Sequence, residues 1–181
     1  MGLYIYDDNF LLRKIIRCIV YFIALISFAW FIVYGFMGQT IINGQSMSPM
    51  INAENVCLVD RLKYDIGNPS RFDVVIFERA DTGKENVKRV IGLPGETVRI
   101  NDGQVYINGE KLDSPYTDSI PLSGIAENDV ELADDEYFVL GDNSDSSEDS
   151  RFSNIGNVKR SSIKGKLWLK IMPMSEISLI R

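Results

Sequence analysis

"ENVKRVIGLPGETVRINDGQVYING", residues 85–109, decides the fold. Three short runs rich in Val, Ile and Tyr follow one another: "ENVKRVIGL" (85–93), "ETVRI" (96–100) and "QVYING" (104–109), punctuated by "LPG" and "NDG". Val98 and Ile100 alternate with polar neighbours, the period-two pattern of a strand with one buried face. Asp102-Gly103 supplies the positive-φ pair of a two-residue hairpin turn. The same grammar extends outward to "NVCLVDRL" (55–62), "RFDVVIFER" (71–79), "EYFVLGD" (136–142) and "KGKLWLKIMP" (164–173), with "GNPS" and "DTG" as further breaks. No helical stripe of useful length follows residue 40. Residues 113–135 are acidic and poor in strand formers, and read as a loop or small insertion. The expectation for 38–181 is a mainly β domain of antiparallel sheets.

The N-terminal part obeys a different rule. After Arg13, Lys14 and Arg17 no charged residue occurs until Glu54. Within that gap, Cys18 to Met37 reads "CIVYFIALISFAWFIVYGFM", 20 nearly pure apolar residues. As a helix this run is about 30 Å long, the thickness of a bilayer's hydrocarbon core. A buried core helix would not be apolar on every face. A cleaved leader would have a shorter apolar core and a small-x-small exit. The expectation is a membrane anchor at 18–37. The basic cluster places residues 1–17 in the cytoplasm and 38–181 outside it, in a single-pass protein of the cell membrane. "MGLYIY" lacks the Ser or Thr of a myristoylation signal.

Composition narrows the chemistry. The chain has 181 residues and a net charge of −6, which argues against a nucleic-acid partner. Its two cysteines, Cys18 and Cys57, make neither a disulfide framework nor a zinc site. There is no histidine, so no Ser-His or Cys-His catalytic pair can form within the chain. No P-loop motif is present. "DNSDSSEDS" (142–150) loosely follows a calcium loop but carries Ser147 where the sharp turn needs glycine. No metal or organic cofactor is expected.

A serine nucleophile with a lysine base survives this elimination. "NGQSMSPMI" (43–51) offers serines directly after the apolar run. An ordinary lysine, with a pKa near ~10.4, is charged at neutral pH and must be desolvated to accept a proton. Lys88 sits among Val87, Val90 and Ile91 with Arg89 adjacent, and strand alternation sends it to the face opposite Val87 and Arg89. Spacing alone does not select it over the other lysines.

Resemblance does. "SMSP" (46–49), "KRVIGLPGE" (88–96) and "GDNSDSSEDSR" (141–151), in that order after one N-terminal anchor, resemble the boxes of bacterial type I signal peptidases, in particular the short Gram-positive members. The resemblance implies Ser46 as nucleophile and Lys88 as general base, with Ser147 orienting the lysine amine. It implies two charged pairs, Asp149 with Arg151 and Asp142 with Arg89. The backbone N–H of Ser46 would hold the oxyanion; Gly44 stands where other members offer a serine hydroxyl. Met47 would line the pocket for the P1 side chain, with Ile42 and Val87 walling neighbouring pockets. Two positions depart from the family pattern: Met50 replaces a usual threonine, and Ser144 stands where Arg or Asn is common.

The resemblance implies a membrane-bound serine endopeptidase removing signal peptides with small residues at −1 and −3 from exported preproteins. A specialised enzyme dedicated to a few surface or pilus precursors remains open, as does an inactive membrane-anchored β binding module. A self-cleaving Ser-Lys regulator shares the chemistry but carries no such anchor. Only eight residues separate Met37 from Ser46, a reach of about 30 Å. The charge-free stretch 38–53 is therefore expected to lie against membrane lipid, with Ile41 and Ile51 in contact.

Overall fold

The computed structural model describes residues 9–116 and 119–180, and divides into two compact units, Met1–Met37 and Gly38–Arg181. The first unit is one helix, α1 (Asn9–Phe36). Its segment Phe10–Phe31 has a mean hydropathy of 1.9 and none of it is buried, so by length and composition it can cross a bilayer. The helix begins nine residues before the expected boundary at Cys18, because Leu11, Leu12, Ile15 and Ile16 interleave with Arg13, Lys14 and Arg17, all good helix formers. Charge changes the solvent a helix prefers, not its backbone. At the other end Met37 already belongs to a strand.

Among the described residues the second unit holds twelve strands in two mainly antiparallel sheets. They are β1 (Met37–Ile41), β2 (Val56–Asp60), β3 (Val74–Glu78), β4 (Glu85–Gly92), β5 (Thr97–Asn101), β6 (Gln104–Ile107), β7 (Glu110–Lys111), β8 (Val130–Glu131), β9 (Glu136–Leu140), β10 (Val158–Lys159), β11 (Ile163–Met172) and β12 (Ser178–Leu179). The larger sheet runs β1-β2-β11-β3-β4-β9-β10, with β12 beside β11; the smaller runs β7-β6-β5-β8. The expected hairpin is present: Asn101 pairs with Gln104 across Asp102 (φ 48°) and Gly103 (φ 73°). A five-residue helix, α2 (Leu62–Ile66), follows β2.

Residues 113–135 do more than connect. They contribute β8, which pairs with β5, and a 3-10 turn at Gly124–Glu127. Ile120, Ala126 and Leu132 enter the core that joins the small sheet to the large one, packing with Val98, Ile100, Val105 and Phe138. The apolar residues are scattered through an acidic stretch poor in strand formers, which is why composition alone reads it as a loop or small insertion.

The charge-free stretch after α1 also needs correction. Ile42, Met47 and Ile51 are buried in a second core cluster with Cys57, Val59, Ile76 and Leu167, and Ile51 is 0% exposed. These three residues are therefore protein core and not a lipid-facing rim. Ile41, by contrast, is 61% exposed.

Candidate active site

Lys88 lies in β4, an interior strand paired with β3 on one side and β9 on the other. Its side chain is 1% exposed. Ser46 stands in the turn that follows β1, a compact segment closed by Ser48 N–H to the Gln45 carbonyl (3.1 Å) and Ile51 N–H to the Met47 carbonyl (2.9 Å). The two meet with Lys88 Nζ 2.8 Å from Ser46 Oγ, 42 positions apart in sequence. The amine's other partner is Asn86 Oδ1 at 3.4 Å. Burial pushes the lysine pKa down to about 8; Asp149 opposes that shift, Arg79 adds to it, Glu148 opposes it and Arg151 adds to it.

The loop 141–151 encloses the pair. Asn143 N–H bonds the Ser46 carbonyl at 3.0 Å, so one loop holds the backbone of the other. Gly141 makes that approach possible: a Cβ there would fall 2.5 Å from the Ser46 carbonyl oxygen and 2.3 Å from Ser147 Oγ. Asp149 is 0% exposed and fully engaged. Arg151 grips it with Nε–Oδ1 at 2.8 Å and Nη2–Oδ2 at 3.0 Å, while Gly141 N–H donates to Oδ2 at 3.1 Å. Arg151 then staples the loop through the carbonyls of Leu122, Ser144 and Ser147. Ser147 differs from expectation. Its hydroxyl donates to Asp149 Oδ2 at 2.7 Å, and no hydrogen bond joins it to Lys88.

On the opposite face of β4, Arg89 forks onto Asp142 at 2.7 and 2.6 Å. It also donates to the Phe72 carbonyl at 2.9 Å, and Tyr116 stacks on its guanidinium at 3.6 Å. Met50, one of the departures from the family pattern, accepts a contact from Arg89 Nη2 through its sulfur at 3.2 Å. Both expected Arg–Asp pairs therefore form, each buried and multiply bonded, which is what makes such charges tolerable inside a protein.

A small cleft of about 80 Å³ opens beside Ser46, walled by Thr40, Ile41, Ile42, Ile76, Asn86 and Val87 among others. Ile42 and Val87, expected as walls of neighbouring pockets, both line this cleft. Met47 is 1% exposed and belongs to the core cluster that these two share, without lining the cleft. Gly44 is exposed at φ 101°, with open space where a side chain would be. Among the described residues no cluster of His, Cys, Asp or Glu is arranged to hold a metal ion.

Comparison with known proteins shows the family. The model of the family described as signal peptidase, peptidase S26, matches residues 13–172. This chain belongs to the signal peptidase S26 family. It is 36% identical over 150 residues to signal peptidase I of Bacillus caldolyticus, covering 76% of this chain and 81% of that protein. It is 32% identical over 173 residues to signal peptidase I U of Bacillus subtilis, covering 91% and 92%. A probable signal peptidase I-2 of Synechocystis is 32% identical, with the alignment spanning 77% of this chain and 65% of the cyanobacterial one. The crystal structure of signal peptidase I from Enterococcus faecalis is similar to it at 34% identity and a TM-score of 0.47, over 56% of this chain and 97% of that one.

Sequence reasoning missed Asn86, Gly141 and the Asn143 N–H. Asn86 was within reach, because two residues before Lys88 on a strand is the same face. Gly141 carried a weaker signal, a glycine inside a polar box.

Proposed function

We propose that Ser46 and Lys88 are the nucleophile and general base of a signal peptidase that removes N-terminal signal peptides from exported preproteins. The observation that carries this reading is the 2.8 Å contact between Ser46 Oγ and a lysine amine that is 1% exposed. With its pKa lowered to about 8, roughly a tenth of Lys88 is neutral at pH 7. That fraction takes the Ser46 proton as Oγ attacks the scissile carbonyl. The oxyanion is held by the Ser46 backbone N–H, with Gly44 leaving room for a second donor. The Lys88 ammonium then protonates the leaving amine, which departs as the mature protein's N-terminus. Water, deprotonated by the same lysine, cleaves the acyl-enzyme and frees the signal peptide.

Asp149, Arg151 and Ser147 hold the wall of the site, and Arg89 with Asp142 fixes the back of β4. The substrate adds as an extended strand beside β1, which ends the larger sheet. The smallness of the cleft between Ile42 and Val87 supports small side chains at −1 and −3. The apolar helix α1 anchors the chain in membrane lipid, with the cluster of Arg13, Lys14 and Arg17 on the cytoplasmic side and the β domain outside.

The test is cleavage of a preprotein carrying an Ala-x-Ala site by the full-length protein in detergent, beside Ser46→Ala and Lys88→Met. Activity in the parent and its loss, by at least about a thousandfold, in both folded variants is expected. Turnover by either variant would overturn the dyad, and a folded but inert parent would favour a binding role.

A further inference from the structure

Near the dyad stands an ion pair that neither the reaction nor the two Arg–Asp clasps use. Arg79 opens the 79–84 turn between β3 and β4, where its N–H bonds the Lys84 carbonyl and its carbonyl accepts from Gly83, both at 2.9 Å. Its guanidinium forks onto Asp81, with Nε–Oδ1 at 2.9 Å and Nη2–Oδ2 at 2.7 Å. The remaining arm, Nη1, reaches Glu148 Oε2 at 2.8 Å. Although it sits in a turn, the Arg79 side chain is only 14% exposed, while Glu148 is 62% exposed. Glu148 stands between Ser147 and Asp149, both buried. One bridge therefore ties the turn leading into the Lys88 strand to the loop that carries Asp149.

Exposed ion pairs add little to stability, so the place of this one is what distinguishes it. Its charges also face the amine. The groups acting on Lys88 are Asp149, Glu148 and Arg151 from the loop and Arg79 from the turn, the two acids raising its pKa and the two arginines lowering it. Its hydrogen-bond partners Ser46 and Asn86 are uncharged, and Arg89, next on β4, is engaged by Asp142.

We propose that Arg79 and Glu148 form a positioning pair for the reaction: the bridge holds the 144–149 loop against the 79–84 turn, and its opposite charges offset each other at the Lys88 amine. The proposal rests on the Ser46–Lys88 reading. Breaking the bridge from either end loosens the same loop, but leaves charges of opposite sign behind. A purely structural pair would make the two variants alike.

The experiment is the pH–rate profile of the full-length protein in detergent on the Ala-x-Ala preprotein, for Arg79→Gln, Glu148→Gln and Arg79→Lys. Activity rises with pH as Lys88 loses its proton. Arg79→Gln is expected to move that limb to higher pH by several tenths of a unit, and Glu148→Gln to lower pH by a similar amount. Both are expected to lose about two- to fivefold on the alkaline plateau, with the displacement shrinking in ~0.5 M salt. Arg79→Lys keeps the charge and is expected to keep the parental limb. Limbs that stay in place or move together, or plateaus equal to the parent's, would overturn the proposal. Thermal unfolding in the same detergent identifies any variant lost to misfolding, and if Arg79→Gln fails to fold, a limb moved to lower pH in Glu148→Gln against an unmoved limb in Arg79→Lys carries the comparison. Failure of the dyad itself reads out separately, as surviving activity in Ser46→Ala or Lys88→Met.

Discussion

Two lysines are buried in this protein, and only one has a carboxylate in hand. Lys170, on β11, is 7% exposed and donates to Glu176 Oε2 at 3.0 Å and to the Met50 carbonyl at 3.3 Å. Lys88 is more deeply buried yet hydrogen-bonds only a hydroxyl and an amide oxygen. The nearest acid of its loop, Asp149, is committed to Arg151, Ser147 and the Gly141 N–H. Burial alone makes an ammonium unfavourable; a bonded carboxylate cancels the effect. The two lysines differ by one hydrogen-bonded carboxylate, and the Arg151 clasp keeps the acid of the 141–151 loop occupied.

Giving Lys88 a carboxylate should break the comparison most severely. Asn86→Asp places one within reach of the amine, and an acid that close raises a lysine pKa by about one to three units. Processing at pH 7 should fall at least about tenfold, and the rising limb of the pH–rate profile should move above its parental midpoint near pH 8. A profile left in place would mean that Asn86 does not face the charge.

Removing the amine tests the same point through stability. The folded pKa of Lys88 lies below its ordinary value, so the native state binds its proton less tightly than the unfolded chain does, and stability rises with pH between the two values. The penalty is complete below about pH 8 and vanishes above about 10.5. Lys88→Met should therefore stabilise the protein at pH 7 by up to about 3 kcal/mol, less whatever the Ser46 contact contributes. The gain should fade as pH passes 10; thermal unfolding in detergent across that range measures it. A variant equally stabilised at every pH would point to packing instead.

The smallest effect belongs to the paired lysine. Glu176→Gln replaces the carboxylate on Lys170 with an uncharged amide oxygen, and should cost about 1 kcal/mol, or 2–4 °C in Tm. Its pH–rate profile should match the parent's. A displaced limb would show that Lys170 and Lys88 are electrically linked, and the contrast between them would soften.

The sequence exposed the actors in this contrast unevenly. Zero histidines and three boxes in order pointed to Ser46 and Lys88, and a lysine flanked by Val87 and Val90 hinted at burial. The depth of that burial was not legible, because it depends on the Ser46 turn and the 141–151 loop, both distant in sequence, meeting at β4. Ser147 was expected on the amine, but its hydroxyl turns to Asp149, a choice that one-dimensional spacing does not contain. Strands with alternating Val and Ile were readable, whereas β7, β8, β10 and β12 are too short to show a period. Ile51 misled for a different reason: an uncharged residue beside an anchor looks the same whether lipid or Leu167 covers it.

The Asn143 N–H that holds the Ser46 carbonyl joins residues nearly a hundred positions apart. Lys88 is made between them, and the clasp from Arg151 comes after all three. A growing chain therefore carries Ser46 early, but the loop that holds it in place is complete only when the final third has emerged and docked. On the proposed reading, competence for the reaction is a late event in the life of each molecule, because the loop that encloses Ser46 and Lys88 is closed only by Arg151.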